Sequence, residues 1–168
     1  SYAEYGAWDG ERVVRLPDSV PLVEAAAMPT AGITAWEAVF DVGQARAGAR
    51  VLVNGGAGGT GSYAIQLAKM AGAEVAATGG PDNLAYVRSL GCDLAIDYRA
   101  GAVREAVAAW ASEGVDLIVD TVGQGSLLDS VEMVKPGGII APIATLIAGE
   151  PMPDEARAAA RGVSIQPT

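Results

Sequence analysis

The 168-residue chain has no histidine, one cysteine and only two lysines, Lys69 and Lys135, and each shortage removes a class of chemistry. Without imidazole, neither a Ser-His-Asp nor a Cys-His relay can be built from these residues, and the usual nitrogen ligands for zinc are missing. Cys92 alone forms no intrachain disulfide and no thiolate cluster, which fits a reducing, cytoplasmic setting. Eleven Lys and Arg stand against twenty Asp and Glu, a formal net charge of −9, so the basic groove of a nucleic-acid binder is not expected. The longest apolar stretch, Gly138 to Gly149, is too short to cross a bilayer and is interrupted by Pro142, so no membrane segment is predicted. The opening SYAEYGAWDG lacks an initiator Met and has no basic region followed by an apolar core, so it reads as a chain starting in mid-pattern without a signal peptide.

What remains is rich in small and branched apolar residues: 51 % hydrophobic against 18 % charged, enough for one domain with a substantial core. Six short runs have the continuous apolar, β-branched character of strands buried on both faces: Val51–Val53, Glu74–Thr78, Leu94–Asp97, Asp116–Asp120, Ile139–Ala144 and Val163–Gln166. Helices are predicted between them over Thr60–Ala71, Asn83–Leu90, Val103–Ser112, Ser126–Val134 and Asp154–Ala160. Ahead of the first strand, a helix is predicted from Pro21 until Pro29 ends it, and a second over TAGITAWEAVFDVG with Gly43 as its C-cap. This alternation predicts an α/β fold, a doubly wound (Rossmann) six-stranded parallel sheet with helices on both faces.

The first strand runs into VLVNGGAGGTGSYAIQLAKMAG, with five glycines in the seven positions 55–61. Gly56-Ala57-Gly58-Gly59-Thr60-Gly61 fits G-x-G-x-x-G after a strand and at the opening of a helix, the context that gives this pattern its meaning. Gly56 is assigned to the tight turn, Gly58 to close approach of backbone and pyrophosphate, and Gly61 to close packing of helix and strand. Free amides around Gly59 and Thr60, aided by the helix dipole, supply donors for an anion without a basic patch. No Gly-Lys-Ser/Thr follows, which excludes a P-loop, and no Tyr-x-x-x-Lys is present, which excludes a short-chain dehydrogenase. A methyltransferase using a similar turn for S-adenosylmethionine remains open.

An acidic residue about 20 positions on would bind the ribose hydroxyls of NAD. Here that place reads ATGGPDN, with Gly79 and Gly80 where the carboxylate is expected. A 2′-phosphate is therefore admissible, with Asn83, Tyr98 and Arg88 within candidate reach, and NADP is favoured. NAD stays open through Asp82, which a two-residue shift would bring to the ribose and which otherwise suits a helix N-cap.

The segments MPTAGITAWEAVF, GARVLVNGGAGGTGSYAIQLAKMAGAEVAATGG, VRSLGCDLAIDY, VDLIVDTVGQ and VKPGGIIAPIA, in that order, resemble the cofactor domain of the medium-chain dehydrogenase/reductase superfamily. The nearest branch is its zinc-independent quinone oxidoreductase and enoyl reductase group. The resemblance implies that Thr34 lies by the nicotinamide, Gly59 and Thr60 meet the pyrophosphate, and Asn83 and Tyr98 surround the adenosine phosphate. It also implies that Val122, Gly123, Ile143 and Ala144 line the strand ends where the nicotinamide rests. Zinc-dependent relatives carry a ligand four residues before the threonine matched by Thr34, and this chain has Thr30 there, a poor zinc ligand. Quinone oxidoreductases often hold the 2′-phosphate with a basic residue where this chain has Asn83, which leaves coenzyme preference open.

By the same resemblance, residues 1–20 are the remnant of a preceding catalytic (GroES-like) domain and 21–168 the dinucleotide-binding domain. The implied activity of the parent is hydride transfer from NADPH to a small-molecule quinone or activated C=C substrate, without metal. No catalytic acid is assigned, because Tyr63 and Tyr86 fall in predicted helices. The chain alone is expected to bind cofactor without turnover. A non-catalytic nucleotide-binding or assembly module, or the cofactor domain of a zinc-dependent alcohol dehydrogenase, is the alternative. The terminal GVSIQPT is expected at a sheet edge, and the resemblance implies a homodimer joined there.

Overall fold

The computed structural model describes residues 4–123, 125–143 and 152–168. Six strands form one sheet in the order β3-β2-β1-β4-β5-β6, every pairing parallel: β1 (Arg50–Asn54), β2 (Glu74–Gly79), β3 (Leu94–Asp97), β4 (Val115–Asp120), β5 (Val134–Pro142) and β6 (Ser164–Ile165). The order reverses between β1 and β4, the position at which doubly wound sheets open a crevice at their carboxyl ends. Helices α1 (Leu22–Trp36), α2 (Gly59–Met70), α3 (Leu84–Ser89), α4 (Val103–Trp110), α5 (Gly125–Leu128), α6 (Ser130–Met133) and α7 (Glu155–Ala160) complete the layers.

Two apolar cores explain why the strands read as unbroken apolar runs. Val51, Val53, Val75, Ala77, Leu117 and Val119 point into the core under α1 and α2. Leu52, Ala76, Ile118 and Ile140 point into the opposite core with Val107, Leu127, Val131 and Ala158. Successive residues of one strand thus serve both faces, which a sheet covered on both sides requires.

The expected stop at Pro29 is not observed. One helix runs through it from Leu22 to Trp36 and continues as π-helical turns over Glu37–Val42. An interior proline costs about 3 kcal/mol through its missing N–H and its ring clash. Packing of α1 on α2, with Ala35 fully buried, offsets that cost. Gly43 does sit at the C-cap, but at φ −75 rather than in the left-handed region. A Cβ there would collide with the Ala38 carbonyl and the Leu117 side chain, so close packing is what requires glycine.

The helix predicted over Ser126–Val134 is divided into α5 and α6, and Val134 begins β5. Strand β5 pairs Val134 with Val115, then shifts register before Ile139 meets Leu117, an irregularity that the apolar pattern does not encode. Residues 4–21 carry only a single 3₁₀ turn, Gly10–Arg12, and are largely exposed. Among the described residues no helix is long and apolar enough to cross a membrane.

Candidate functional site

The carboxyl ends of β1, β2, β3 and β4 open into a cleft of about 880 Å³. At its centre, β1 turns into α2 through the glycine segment. The residue in the left-handed region is Gly55, at φ 80, one position before the start of the G-x-G-x-x-G pattern. Its missing Cβ leaves room for the Thr121 hydroxyl and for Val122. Gly56 is buried under Ala77 and Ile65, each of which an added Cβ would approach to 2.9 Å, and its amide donates to the Thr78 carbonyl at 2.8 Å. Gly61 brings α2 against the backbone of Gly55 and Gly56, contacts that any side chain would block.

Gly58 differs from these three. Its φ −77 and ψ 170 are open to every L-residue, it is exposed, and the nearest atom to an added Cβ is the Gly55 carbonyl oxygen at 3.3 Å. Nothing in the folded chain demands glycine there beyond a few tenths of an ångström. Gly58 is also the N-cap of α2: its own amide donates to the Gly55 carbonyl at 2.9 Å, its carbonyl accepts from the Ser62 amide at 2.9 Å, and between them lie the amides of the first helical turn, Gly59 to Gly61. A helix presents donors and partial positive charge at this end through its first-turn amides.

A buried polar network fixes this turn to its neighbours. Asp120 is wholly buried at the end of β4, with one oxygen accepting from Asn54 Nδ2 at 2.8 Å and the other from the amides of Val122 at 3.0 Å and Gly123 at 2.7 Å. The Thr121 hydroxyl donates to the Asn54 carbonyl at 2.8 Å, and the Thr78 hydroxyl accepts from the Gly55 amide at 3.0 Å. One carboxylate and three short polar side chains thereby hold the ends of three strands, and the turns after β1 and β4, in one arrangement.

Of the residues singled out by sequence, Ala57, Gly58, Gly79, Gly80, Asn83, Tyr98, Val122 and Gly123 line the cleft. Gly56, Gly59, Thr60, Gly61, Thr34 and Ile143 do not line it. Gly59 and Thr60 begin α2 at the rim, with Ala31 of α1 3.7 Å from where a Gly59 Cβ would be. Thr34 is half-buried on α1, Ile143 follows β5 and donates its amide to the Asp120 carbonyl at 2.9 Å, and Ala144 lies outside the described residues. Arg88 is exposed on α3 and does not reach the cleft. Asp82 lines the cleft from the 3₁₀ turn Pro81–Asn83 and makes no capping hydrogen bond.

Sequence reasoning missed Asn54, Thr78, Asp120, Arg99 and Arg104. The first three carry no motif, since their roles depend on three strand ends being adjacent. Arg99 and Arg104 become cleft residues only through the position of β3 beside β2. Burial first, then the neighbouring Asp93 carboxylate, push the Cys92 thiol pKa up, which disfavours the reactive thiolate. Tyr63 packs against the core under α2, and Tyr86 is half-exposed on α3 away from the cleft.

A parallel 3-2-1-4-5-6 sheet with a glycine turn at its switch point defines a dinucleotide-binding fold. The chain belongs to the zinc-binding dehydrogenase family, whose model matches residues 59–168, within the medium-chain dehydrogenase/reductase superfamily. It is 40 % identical over 142 residues to 2-methylene-furan-3-one reductase of Solanum lycopersicum, covering 83 % of this chain and 34 % of that one. Among solved structures, the quinone oxidoreductase from Thermus thermophilus, determined also as its complex with NADPH, superposes with a TM-score of 0.79 at 31 % identity, over 92 % of this chain and 49 % of the other. The CurK enoyl reductase superposes with a TM-score of 0.82 at 29 % identity, over 92 % and 46 %. The chain therefore spans between a third and a half of the length of these three relatives.

Proposed function

We propose that residues 21–168 bind NADP(H) as the cofactor domain of an oxidoreductase that reduces a quinone or an activated C=C bond, with NAD(H) as the weaker alternative ligand. The observation that carries this reading is Gly58, a glycine facing a cleft at a helix N-terminus with almost no internal reason to be glycine. A group from outside that needs the backbone bare supplies the reason, and a pyrophosphate fits the amides beside it. When bound, the nicotinamide supplies a hydride from its C4. The chain's own residues do the positioning: the α2 amides at Gly59 and Thr60 hold the diphosphate, and Gly79, Gly80, Asn83 and Tyr98 enclose the adenosine end. Val122 and Gly123, set by Asp120, support the nicotinamide end, and the resemblance adds Thr34, Ile143 and Ala144 to that end.

Zinc has no place in this reading of these residues. The chain offers one thiol, Cys92, with its pKa raised, no imidazole, and threonine at position 30, a donor set unsuited to the metal. Residues 1–20 are assigned to the tail of a preceding GroES-like catalytic domain, a reading supported by the greater length of the relatives. It is also supported by the exposed apolar side chains of Trp8, Val14, Leu22, Val23 and Ile33, which suit burial against a further unit. β6, an edge strand among the described residues, is the proposed homodimer seam, which light scattering would test against a monomeric mass.

Titration with NADPH and NADH, followed by addition of 1,4-benzoquinone, tests the function. Saturable NADPH binding without turnover by this chain alone is expected. Failure to bind either coenzyme would overturn the assignment.

A further inference from the structure

The cleft has one cation whose role the fold leaves unassigned. Arg99 follows β3 by two residues, and in the sheet Gly79 of β2 pairs with Asp97 of β3, which brings the start of the β3 loop beside the end of β2. A Cβ on Gly80 would stand 3.9 Å from Cζ and Nε of Arg99 and 3.8 Å from Cε1 of Tyr98. The guanidinium lies 5.7 Å from the centroid of the Tyr98 ring, and the Asp97 carboxylate accepts the Arg99 amide at 2.9 Å, pinning the loop. Among the described residues Arg99 makes no ion pair, whereas Arg104, the other arginine lining the cleft, faces Glu132 at 3.8 Å. Asp82 lines the same cleft from the loop after β2.

We propose that Arg99 reads the 2′-phosphate of the nucleotide, with Asp82 as the opposing charge that sets how strongly NADPH is preferred over NADH. The end of β2 is where this fold distinguishes the two coenzymes, by a carboxylate for the ribose hydroxyls or an arginine for the phosphate. Here both signs are present on separate loops, and the bare backbone of Gly79 and Gly80 between them admits the larger ligand. A guanidinium matches a phosphate dianion by paired, charge-assisted hydrogen bonds, and unlike Arg104 this one has no carboxylate to release. Asp82 is placed to repel the same phosphate and to accept from a free 2′-hydroxyl. The Arg99 guanidinium, like any arginine, stays charged across the working pH range.

This inference rests on the cleft being a dinucleotide site, and the two stand or fall by different measurements. The affinities of NADPH, NADH, 2′,5′-ADP and 5′-AMP are measured for the wild-type chain, Arg99→Ala, Arg99→Lys and Asp82→Asn. Both residues are exposed, so the variants should keep the wild-type melting temperature. Arg99→Ala is expected to weaken NADPH and 2′,5′-ADP at least about 10-fold while NADH and 5′-AMP change less than about 3-fold, and Arg99→Lys should recover part of the loss. Asp82→Asn is expected to move the NADPH-to-NADH affinity ratio the opposite way. An unchanged ratio in Arg99→Ala, or equal losses for all four ligands, would overturn the role of Arg99 while leaving the dinucleotide site intact. Absence of binding by the wild-type chain would overturn both.

Discussion

Replacing Gly58 by valine separates what the fold needs from what a ligand needs. The backbone at φ −77 and ψ 170 accepts valine, and the one close neighbour is the Gly55 carbonyl oxygen at 3.3 Å, which must give by a few tenths of an ångström. The change should therefore alter stability by no more than about 1 kcal/mol, or roughly 2–4 °C in melting temperature. Its branched side chain, however, occupies the space over the helix end where the diphosphate must approach the amides. A loss of at least about 100-fold in NADPH affinity is expected, about 2.7 kcal/mol. Gly61→Ala is the opposite control. Its Cβ would meet the Gly55 carbonyl carbon at 2.8 Å and Gly56 Cα at 3.0 Å, backbone that cannot turn aside. Overpacking of this kind costs about 1–3 kcal/mol, and the melting temperature should fall by up to roughly 6–12 °C. Nicotinamide fluorescence titration beside a thermal melt reads both quantities. A Gly58→Val protein that melts normally and binds NADPH as tightly as the wild type would refute the reasoning.

Other outcomes follow from the same geometry. Asp120→Asn places an amide donor against Asn54 Nδ2 or against the Val122 and Gly123 amides, so it should destabilise by about 1–3 kcal/mol; adding Asn54→Asp, which restores an acceptor facing a donor, should recover part of that in chemical denaturation. Burial alone would raise the Asp116 pKa, but Lys135 at 2.6 Å and the Arg50 amide at 2.8 Å outweigh it and hold the carboxyl below its usual range. The stability it contributes is therefore complete above about pH 5, where the unfolded carboxyl is ionised, and lost as pH falls through the lowered folded-state value, so Asp116→Asn should cost about 1–2 kcal/mol at pH 7 and progressively less in acid. The Lys69–Asp93 pair, with the Asp93 pKa likewise lowered against its burial, should add to the same acid limb.

Much of this architecture was legible because it rests on local signals. All six strands overlap the apolar runs that predict them, since a strand buried on both faces cannot carry polar residues at alternate positions, although β5 begins at Val134, five residues ahead of its run. The glycine turn was legible too, but its internal division of labour was not. The left-handed residue is Gly55, and only the packing of Thr121 and Val122 against it reveals this. Pro29 misled because a local stop signal yields to tertiary contact: the helix continues through the exposed proline to pack on α2 and bury Ala35. The Asn54–Asp120 bond joins residues 66 apart in sequence, and Arg99 enters the cleft because β3 lies beside β2. Neither spacing leaves a mark in the chain itself.

The most direct measurement is a crystal structure with NADPH soaked in. The account predicts the diphosphate over Gly58, within hydrogen-bonding distance of the Gly59 and Thr60 amides, with its adenosine end toward Gly80. A saturated crystal with that turn vacant, or with the nucleotide bound elsewhere, would contradict it.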